Sequence, residues 1–233
     1  VLLVIAGLPA GGAERQMALL CQHLDRSRYD VGLLIFNAAE KVHYKNAFAA
    51  PLWFRALGLS RSQNRGVALR VIAGIAGAVR DFRPDIVHST LNAANHLVRI
   101  SSLIPGWRCP IVSSVRADFH SGYSLRERLL ERLLWRRSRH IICNSERTRG
   151  QLIQTIGLPQ DRVSTIANGI EPAFFESTIS PPPAWWPAGR VALVVGRYKA
   201  EKNHLALLDA IADLKRRNPS GGWKFVFLGE GPL

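Results

Sequence analysis

VALVVGRYKAEKN, residues 191–203, is the stretch that decides the fold class of this 233-residue sequence. Its first five residues are apolar, which predicts a strand buried on both faces of a parallel sheet. Gly196 ends this run, and a helical pattern follows three closely spaced cations, Arg197, Lys199 and Lys202. In parallel sheets, ligands bind outside the carboxyl ends of the strands. We therefore predict that Arg197 and Lys202 hold a diphosphate, with a solvated basic turn as the alternative.

Short apolar runs alternate with helical patterns along the rest of the chain, which predicts an α/β fold with parallel sheets. The runs predicted to be strands are residues 1–6, 31–36, 86–88, 110–115, 140–143, 163–166 and 223–228. Gly11 and Gly12 stand between the first strand and its helix. Glycines at this place let backbone amides approach an anion at a helix amino terminus, although a plain turn would have the same composition.

A proline-rich segment, residues 177–189 (STISPPPAWWPAG), is predicted to be a linker, because three consecutive prolines cannot enter a helix or a central strand. It separates an amino-terminal domain, residues 1–176, from a second domain that begins at residue 190. Residues 190–233 form one βαβ unit, which is too short to cover both faces of its sheet. We expect a fragment of a longer protein that carries the first third of a second domain. The alternative is an extension docked on the first domain.

The charge balance is strongly basic, with 31 basic and 17 acidic residues and a net charge of +14. Such a field attracts nucleic acid, anionic lipid or phosphorylated substrates. Cys21, Cys109 and Cys143 are far apart and have no zinc-ligand spacing, which indicates reduced thiols in a cytosolic protein. No apolar run reaches the roughly 18–20 residues of a membrane span. We therefore expect a cytoplasmic location.

Five short motifs follow one another in a fixed order along the chain. They are residues 11–15 (GGAER), 85–88 (DIVH), 166–170 (IANGI), 195–197 (VGR) with 201–203 (EKN), and 228–233 (LGEGPL). Taken together, they resemble the retaining glycosyltransferases of family four. The resemblance covers nearly the whole chain, and it implies a GT-B fold of two facing Rossmann-like domains, of which the second is incomplete here.

The resemblance implies an activity: a sugar passes with retention from a nucleotide-sugar, UDP- or GDP-linked, to a glycan or lipid-linked acceptor. The chain has Arg116 after the strand at 110–115, and in this it resembles a subset of the family that builds surface glycans. The resemblance therefore implies lipopolysaccharide, capsule or exopolysaccharide synthesis. Arg197 and Lys202 are implied to pair with the donor diphosphate, so that no metal or other cofactor is required. The other residues implied at the phosphate and nucleotide-sugar sites are Gly11, Gly12, Asn168, Gly169 and Gly231.

The residue after the strand at 110–115 departs from the family pattern. Many relatives have a histidine there, whereas this chain has Arg116, which is always protonated and cannot act as a general base. Arg116 can contact phosphate or sugar hydroxyls, and it is retained as a catalytic candidate. His88, expected at a strand end, is the second catalytic candidate, with a satisfied structural histidine as the alternative. His120 is a further histidine, in a loop.

A second departure concerns the glutamate pair of the family, in which seven residues separate the two glutamates. No two glutamates in this sequence have that spacing. Glu201 and Asp209 are eight positions apart, but they lie before and within the helix after the cationic turn, so we reject them. We expect the pair beyond Leu233, and we expect the chain as given to be inactive.

Residues 125–137 are predicted to form a basic amphipathic helix, and the segment 124–139 carries six arginines, two glutamates and a net charge of +4. Its leucines, which are predicted to pack on the sheet, are Leu125, Leu129, Leu130, Leu133 and Leu134. Its arginines, which are predicted to face solvent or an anionic membrane, are Arg126, Arg128, Arg132, Arg136 and Arg137. Peripheral contact with the inner face of the cell membrane is therefore expected. The segment 37–65, which contains Trp53, Phe54 and Arg55, is an equal candidate for membrane or acceptor contact.

Two other functions remain as alternatives. One is a different GT-B enzyme, such as a sugar-nucleotide epimerase, although the motifs at 11–15 and 168–169 argue against it. The other is a non-catalytic basic module that binds polyanions. Binding of single-stranded nucleic acid would need aromatic residues between the cations, and the basic helix has only Trp135. We therefore predict no nucleic-acid partner.

Overall fold

The computed structural model describes residues 1–37, 42–44, 52–59, 66–120, 122–176 and 181–232. The chain divides into two compact units, Val1–Glu171 and Pro172–Leu233. The division comes before the predicted linker at 177–189, and residues 177–180 of that linker lie outside the described residues. Each unit contains parallel β-strands joined by helices, as predicted for an α/β protein.

The first unit is built on a seven-stranded parallel sheet with strand order 3-2-1-4-5-6-7. Its strands are β1 Leu2–Ile5, β2 Gly32–Ile35, β3 Trp53–Ala56, β4 Val87–Thr90, β5 Ile111–Val115, β6 His140–Cys143 and β7 Val163–Thr165. The chain runs outward from β1 to β3 and then returns to place β4 on the other side of β1. The crevice at such a reversal point is where open parallel sheets bind ligands.

In the part of the first unit that the structure describes, five helices have ten or more residues. They are α1 Gly12–His23, α2 Val67–Phe82, α3 Asn92–Ser101, α4 Leu125–Leu134 and α5 Glu146–Ile156. Alternate residues of β1 separate the two layers of core, since Leu2 and Val4 pack with α2 and α3 while Leu3 and Ile5 pack with α1. Burial on both faces explains why β1 appears in the sequence as an unbroken apolar run.

Strand β3 forms the edge of the sheet and was not predicted from the sequence. Trp53 stacks against Phe82 of α2 with ring centroids 5.3 Å apart. Arg55 donates a hydrogen bond of 2.9 Å to Asp81 and lies 4.9 Å above the Trp53 ring. Trp53 and Arg55 of the segment considered for membrane or acceptor contact are therefore engaged with α2 and with each other. Residues 38–41, 45–51 and 60–65 of that segment lie outside the described residues.

The prediction that the leucines of α4 pack on the sheet is wrong for three of them. Leu125, Leu129 and Leu133 are 81%, 58% and 64% exposed. The helix begins at a capping box, in which the Ser124 and Glu127 side chains bond to each other's backbone amides. Its buried residue is Glu131, which faces α3, so these three leucines point outward, while Leu130 and Leu134 are half-buried.

The second unit contains α6 Ala173–Glu176, β8 Arg190–Val195, α7 His204–Arg217 and β9 Trp223–Leu228. Strands β8 and β9 are parallel, with Arg190 opposite Trp223 and Val195 opposite Leu228. In this unit a strand is followed by the cationic turn, a helix and a second strand, as predicted. The expectation that β8 is buried on both faces is wrong for this chain, because Leu193 is 48% and Val195 is 73% exposed. The described part of this unit supplies only one partner strand and one long helix to cover it.

Candidate functional site

In the glycine loop after β1, Gly11 lies beside the side chains of Tyr44 and Glu14. The Gly11 amide donates a hydrogen bond of 3.3 Å to the Tyr44 hydroxyl. The same hydroxyl donates a hydrogen bond of 3.0 Å to the Gly11 carbonyl. A Cβ at Gly11 would overlap the Glu14 carboxylate, whereas a Cβ at Gly12 would meet no atom within 4 Å. An anion that binds the Gly11 amide would therefore replace the Tyr44 hydroxyl, while the space beside Gly12 is open.

Two predicted site residues from distant parts of the sequence are in direct contact. Arg116 follows the end of β5, and its Nη1 donates a hydrogen bond of 2.5 Å to Oδ1 of Asn168, which follows β7. Burial lowers the pKa of Arg116 from its ordinary value. An arginine nevertheless keeps its charge in proteins, so the pair presents a fixed cation at the carboxyl ends of the strands.

Gln16 of α1 holds the residue next to Asn168 in place. The Gly169 amide donates to Gln16 Oε1 at 2.7 Å, and Gln16 Nε2 donates to the Gly169 carbonyl at 2.8 Å. Beside this reciprocal pair, Arg15 and Glu171 form an ion pair. The helix that begins at the glycine loop is thus tied to the segment that carries Asn168 and Gly169.

His88 does not lie at a strand end, contrary to expectation, because it is the second residue of β4. Its Nε2 is 2.8 Å from the Ser114 hydroxyl on β5. Burial, reinforced by the charge of Arg116, lowers the pKa of His88 to about 4. The imidazole is therefore neutral at pH 7, and its low basicity makes it a weak proton acceptor. His120 lies apart, exposed in the turn before α4.

In the second unit, the segments after β8 and β9 run side by side. The Gly196 amide donates to the Leu228 carbonyl at 3.0 Å, and the Tyr198 amide donates to the Glu230 carbonyl at 2.9 Å. A Cβ at Gly229 would overlap the backbone of Gly196, and one at Gly231 would overlap the backbone of Tyr198. Glycine at these two positions therefore lets residues 228–231 lie against the cationic turn.

Arg197 and Lys202 flank this turn, and both side chains are exposed. Lys202 ends a short 3-10 helix, Ala200–Lys202, and its stem passes about 4 Å from where a Gly196 Cβ would stand. The Arg197 carbonyl is 3.0 Å from His204 Nε2, which fixes the turn to the start of α7. Among the side chains that the structure describes, no carboxylate forms an ion pair with Arg197 or Lys202. The turn thus offers two cations at the carboxyl end of β8.

Within the described ranges, no group of three or more His, Cys, Asp or Glu residues could hold a metal ion. Of the helices that the structure describes, none is long and apolar enough to cross a membrane.

Nearly all of the first unit matches a known protein family. Residues 10–174, well over half of the chain, match the family described as Glycosyltransferase Family 4. The chain belongs to Glycosyltransferase Family 4. The resemblance drawn from the five sequence motifs is thereby confirmed.

A curated relative of this family member is the putative glycosyltransferase EpsF of Bacillus subtilis (strain 168). The two are 22% identical over 248 residues, which cover 100% of this chain and 62% of EpsF. The chain therefore spans about three fifths of the length of the relative that it matches.

Solved structures confirm the GT-B type of α/β fold. Anabaena Alr3699/HepE in complex with UDP and glucose matches with a TM-score of 0.72 at 16% identity, over 100% of this chain and 61% of that one. The lipopolysaccharide outer core galactosyltransferase WaaB matches with a TM-score of 0.69 at 17% identity, over 99% and 60%. The UDP-N-acetylglucosamine 2-epimerase of Rickettsia bellii matches at 0.60 and 14% identity, over 98% and 61%. At these identities the comparison establishes the fold alone.

The structure brings the predicted residues of this family member together in two groups. The first unit joins Arg116, Asn168 and Gly169, and the second joins Arg197, Lys202 and Gly231. Sequence reasoning missed Gln16 and Tyr44. Opposite charges at Arg15, which ends the motif at 11–15, and at Glu171, which directly follows the motif at 166–170, were a signal that could have led to neighbouring Gln16. Tyr44 lies in a segment without periodicity, where no such signal existed.

Proposed function

We propose that this protein transfers a sugar, with retention, from a UDP- or GDP-linked donor to a glycan or lipid-linked acceptor. The proposed setting is the synthesis of lipopolysaccharide, capsule or exopolysaccharide. Family membership supports sugar transfer. Alr3699/HepE, whose structures hold UDP, glucose or UDP-glucose, supports a nucleotide-sugar donor, and WaaB, a lipopolysaccharide galactosyltransferase, supports the setting.

The observation that carries the donor half of this proposal is the cationic turn after β8. Arg197 and Lys202 are exposed at the carboxyl end of a parallel strand, with the glycine motif of Gly231 alongside. Charge-assisted hydrogen bonds from two cations would hold a diphosphate. They would also stabilise the negative charge that grows on the nucleoside diphosphate as it leaves. The proposal therefore requires no metal or other cofactor.

In the first unit, Arg116 and Asn168 are proposed to bind sugar hydroxyls or phosphate, and Gly11 and Gly12 to contact donor phosphate or acceptor. Arg116 cannot take a proton, and His88 is a weak base. The acceptor hydroxyl is therefore proposed to attack the anomeric carbon from the face that the diphosphate leaves. Its oxygen forms the new glycosidic bond, the bond from carbon to phosphate oxygen breaks, and the hydroxyl proton passes to that phosphate oxygen.

Nucleotide binding tests the donor site. Isothermal titration with UDP and with GDP should show a loss of affinity of about tenfold or more for Arg197→Ala and for Lys202→Ala. Lys224→Ala is the matched control, because Lys224 is an exposed lysine near the other end of the same two-stranded sheet and should bind as the parent protein does. Equal affinities for all four proteins would remove the donor site from the proposal. Nucleotide affinity is measured here in place of sugar transfer, because the relative that this chain matches is longer than the chain.

A sugar-nucleotide epimerase is the second candidate, since such epimerases share the fold. The family match over residues 10–174 favours transfer. Incubation of the full-length protein with UDP-N-acetylglucosamine and no acceptor separates the two, because an epimerase would convert the donor to its 2-epimer. Proton NMR of the sugar nucleotide would detect that conversion.

A further inference from the structure

Three leucines form an apolar ridge on the outside of the first unit. Leu125, Leu129 and Leu133 are four positions apart on α4, so their side chains lie on one face of the helix. They are 81%, 58% and 64% exposed. Leucine side chains are usually buried in soluble proteins, and three adjacent exposed ones form a continuous apolar strip. We call this strip the leucine ridge.

The ridge lies on the side of α4 that faces away from its buried residue, Glu131. The opposite face is held by Glu131, whose carboxylate lies 2.7 Å from Arg99 and 3.1 Å from His96, all three side chains being almost wholly buried. Rotating the leucines inward would expose this ion pair and break its contacts. The helix is therefore fixed with the ridge pointing away from the sheet.

Arginines border the ridge on both sides. At about 100° per residue, the three leucines span about 80° of the helix circumference, and Arg126 and Arg132 lie about 20° beyond the two edges. Arg136 is exposed just past the carboxyl end of the ridge. Among the side chains that the structure describes, no carboxylate pairs with any of these three arginines. An apolar strip between cations fits an anionic bilayer, where leucines enter the acyl boundary and arginines reach the phosphates.

We propose that the leucine ridge, with Arg126, Arg132 and Arg136, docks the protein on an anionic lipid bilayer. The net charge of +4 for residues 124–139 and of +14 for the chain complements such a surface. A second copy of the chain fits less well, because pairing the same face about a two-fold axis would bring the arginines of both copies together. This docking surface is separate from the donor site, and its test uses no nucleotide.

Vesicle flotation tests the ridge. The parent protein should float with phosphatidylcholine vesicles that contain phosphatidylglycerol and should float weakly with phosphatidylcholine alone. The triple variant Leu125→Ser, Leu129→Ser, Leu133→Ser should lose about tenfold or more in partitioning to the anionic vesicles. Leu69→Ser is the matched control, because Leu69 is 72% exposed on α2 and should leave flotation unchanged.

A second pair of variants tests the charges. Arg126→Gln with Arg132→Gln should weaken binding to anionic vesicles by about tenfold or more. Arg70→Gln, at an exposed arginine of α2, is the control and should have no comparable effect. Thermal unfolding of all variants should match the parent protein, since the replaced side chains face solvent. Flotation of the leucine variant at the parent level would overturn the proposal. So would a lipid-free dimer of the parent that the leucine variant dissociates, because the ridge would then bind a second copy.

Discussion

The Arg99 guanidinium lies 2.7 Å from the Glu131 carboxylate, from Nη1 to Oε1, and neither side chain is exposed to solvent. Arg99 also donates from Nε to the Ser138 hydroxyl at 2.7 Å, and His96 lies 3.1 Å from the other oxygen of Glu131. Burial acts to raise the pKa of Glu131, but Arg99 and His96 outweigh it and hold the pKa below its usual value. This buried pair joins α3 to α4 and decides which side of α4 faces inward.

Replacing Glu131 with leucine should destabilise the protein, even though it adds an apolar residue to a buried position. Glu131→Leu would leave the Arg99 charge buried without an opposite charge beside it, which costs about 3–5 kcal/mol. The double variant Arg99→Met, Glu131→Leu removes both charges and should recover most of that loss. Urea unfolding at pH 7 measures the free energies. A single variant as stable as the parent would show that the ion pair does not hold α4.

The orientation of α4 could not be predicted from its own sequence. Leu125, Leu129 and Leu133 recur every four residues, but so do Glu127, Glu131 and Trp135. Apolar periodicity favours the leucines as the inner face. The deciding partner, Arg99, comes from another helix, and no local pattern connects it to Glu131. Strands β1 and β2 were predictable because burial on both faces leaves an apolar run in the sequence.

His88 should make the stability of the protein depend on pH above the range where carboxylates titrate. Its pKa is about 4 in the folded protein against an ordinary value of 6.5. Between these values the unfolded chain binds a proton that the folded chain does not, so stability falls as the pH falls from 6.5 toward 4. The full loss is about 3 kcal/mol. His88→Gln should remove this part of the loss while retaining an amide that can bond Ser114. Urea midpoints from pH 7 to pH 4 compare the two proteins, and parallel curves would contradict the low pKa.

Two glycines of the candidate site should respond in opposite ways to alanine. A Cβ at Gly231 would overlap the Tyr198 backbone, which cannot move away as a side chain could. Gly231→Ala should therefore destabilise the second unit by about 1–3 kcal/mol. At Gly12 a Cβ meets nothing within 4 Å, and this first residue of α1 should accept alanine without loss of stability. Amide hydrogen exchange in β8, β9 and α1 distinguishes the two variants. Equal protection of β8 and β9 in both would show that the close approach at Gly231 is not required.

The sequence predicted several residues of the candidate site, but it did not predict the contacts between them. Glycines and cations at strand ends have a local signature, so Arg197, Lys202 and Gly231 were identified from spacing and motif order. The contact between Arg116 and Asn168 joins residues 52 positions apart. It depends on β5, β6 and β7 being neighbours in the sheet, which the sequence implies only once the strand order is known. Side chains that bind backbone groups, such as Gln16 and Tyr44, have no periodic signal at all.

Gln16 should control the order of the segment that carries Asn168. Gln16→Ala removes both of its hydrogen bonds to Gly169, at about 1 kcal/mol each, and should speed amide exchange at residues 168–171. Gln16→Glu keeps the acceptor for the Gly169 amide and loses the donor, so its effect should be intermediate. Gln22→Ala, at an exposed glutamine on the same helix, is the matched control. If exchange at Gly169 were as slow in Gln16→Ala as in Gln22→Ala, the reciprocal pair would not be what holds Asn168 in contact with Arg116.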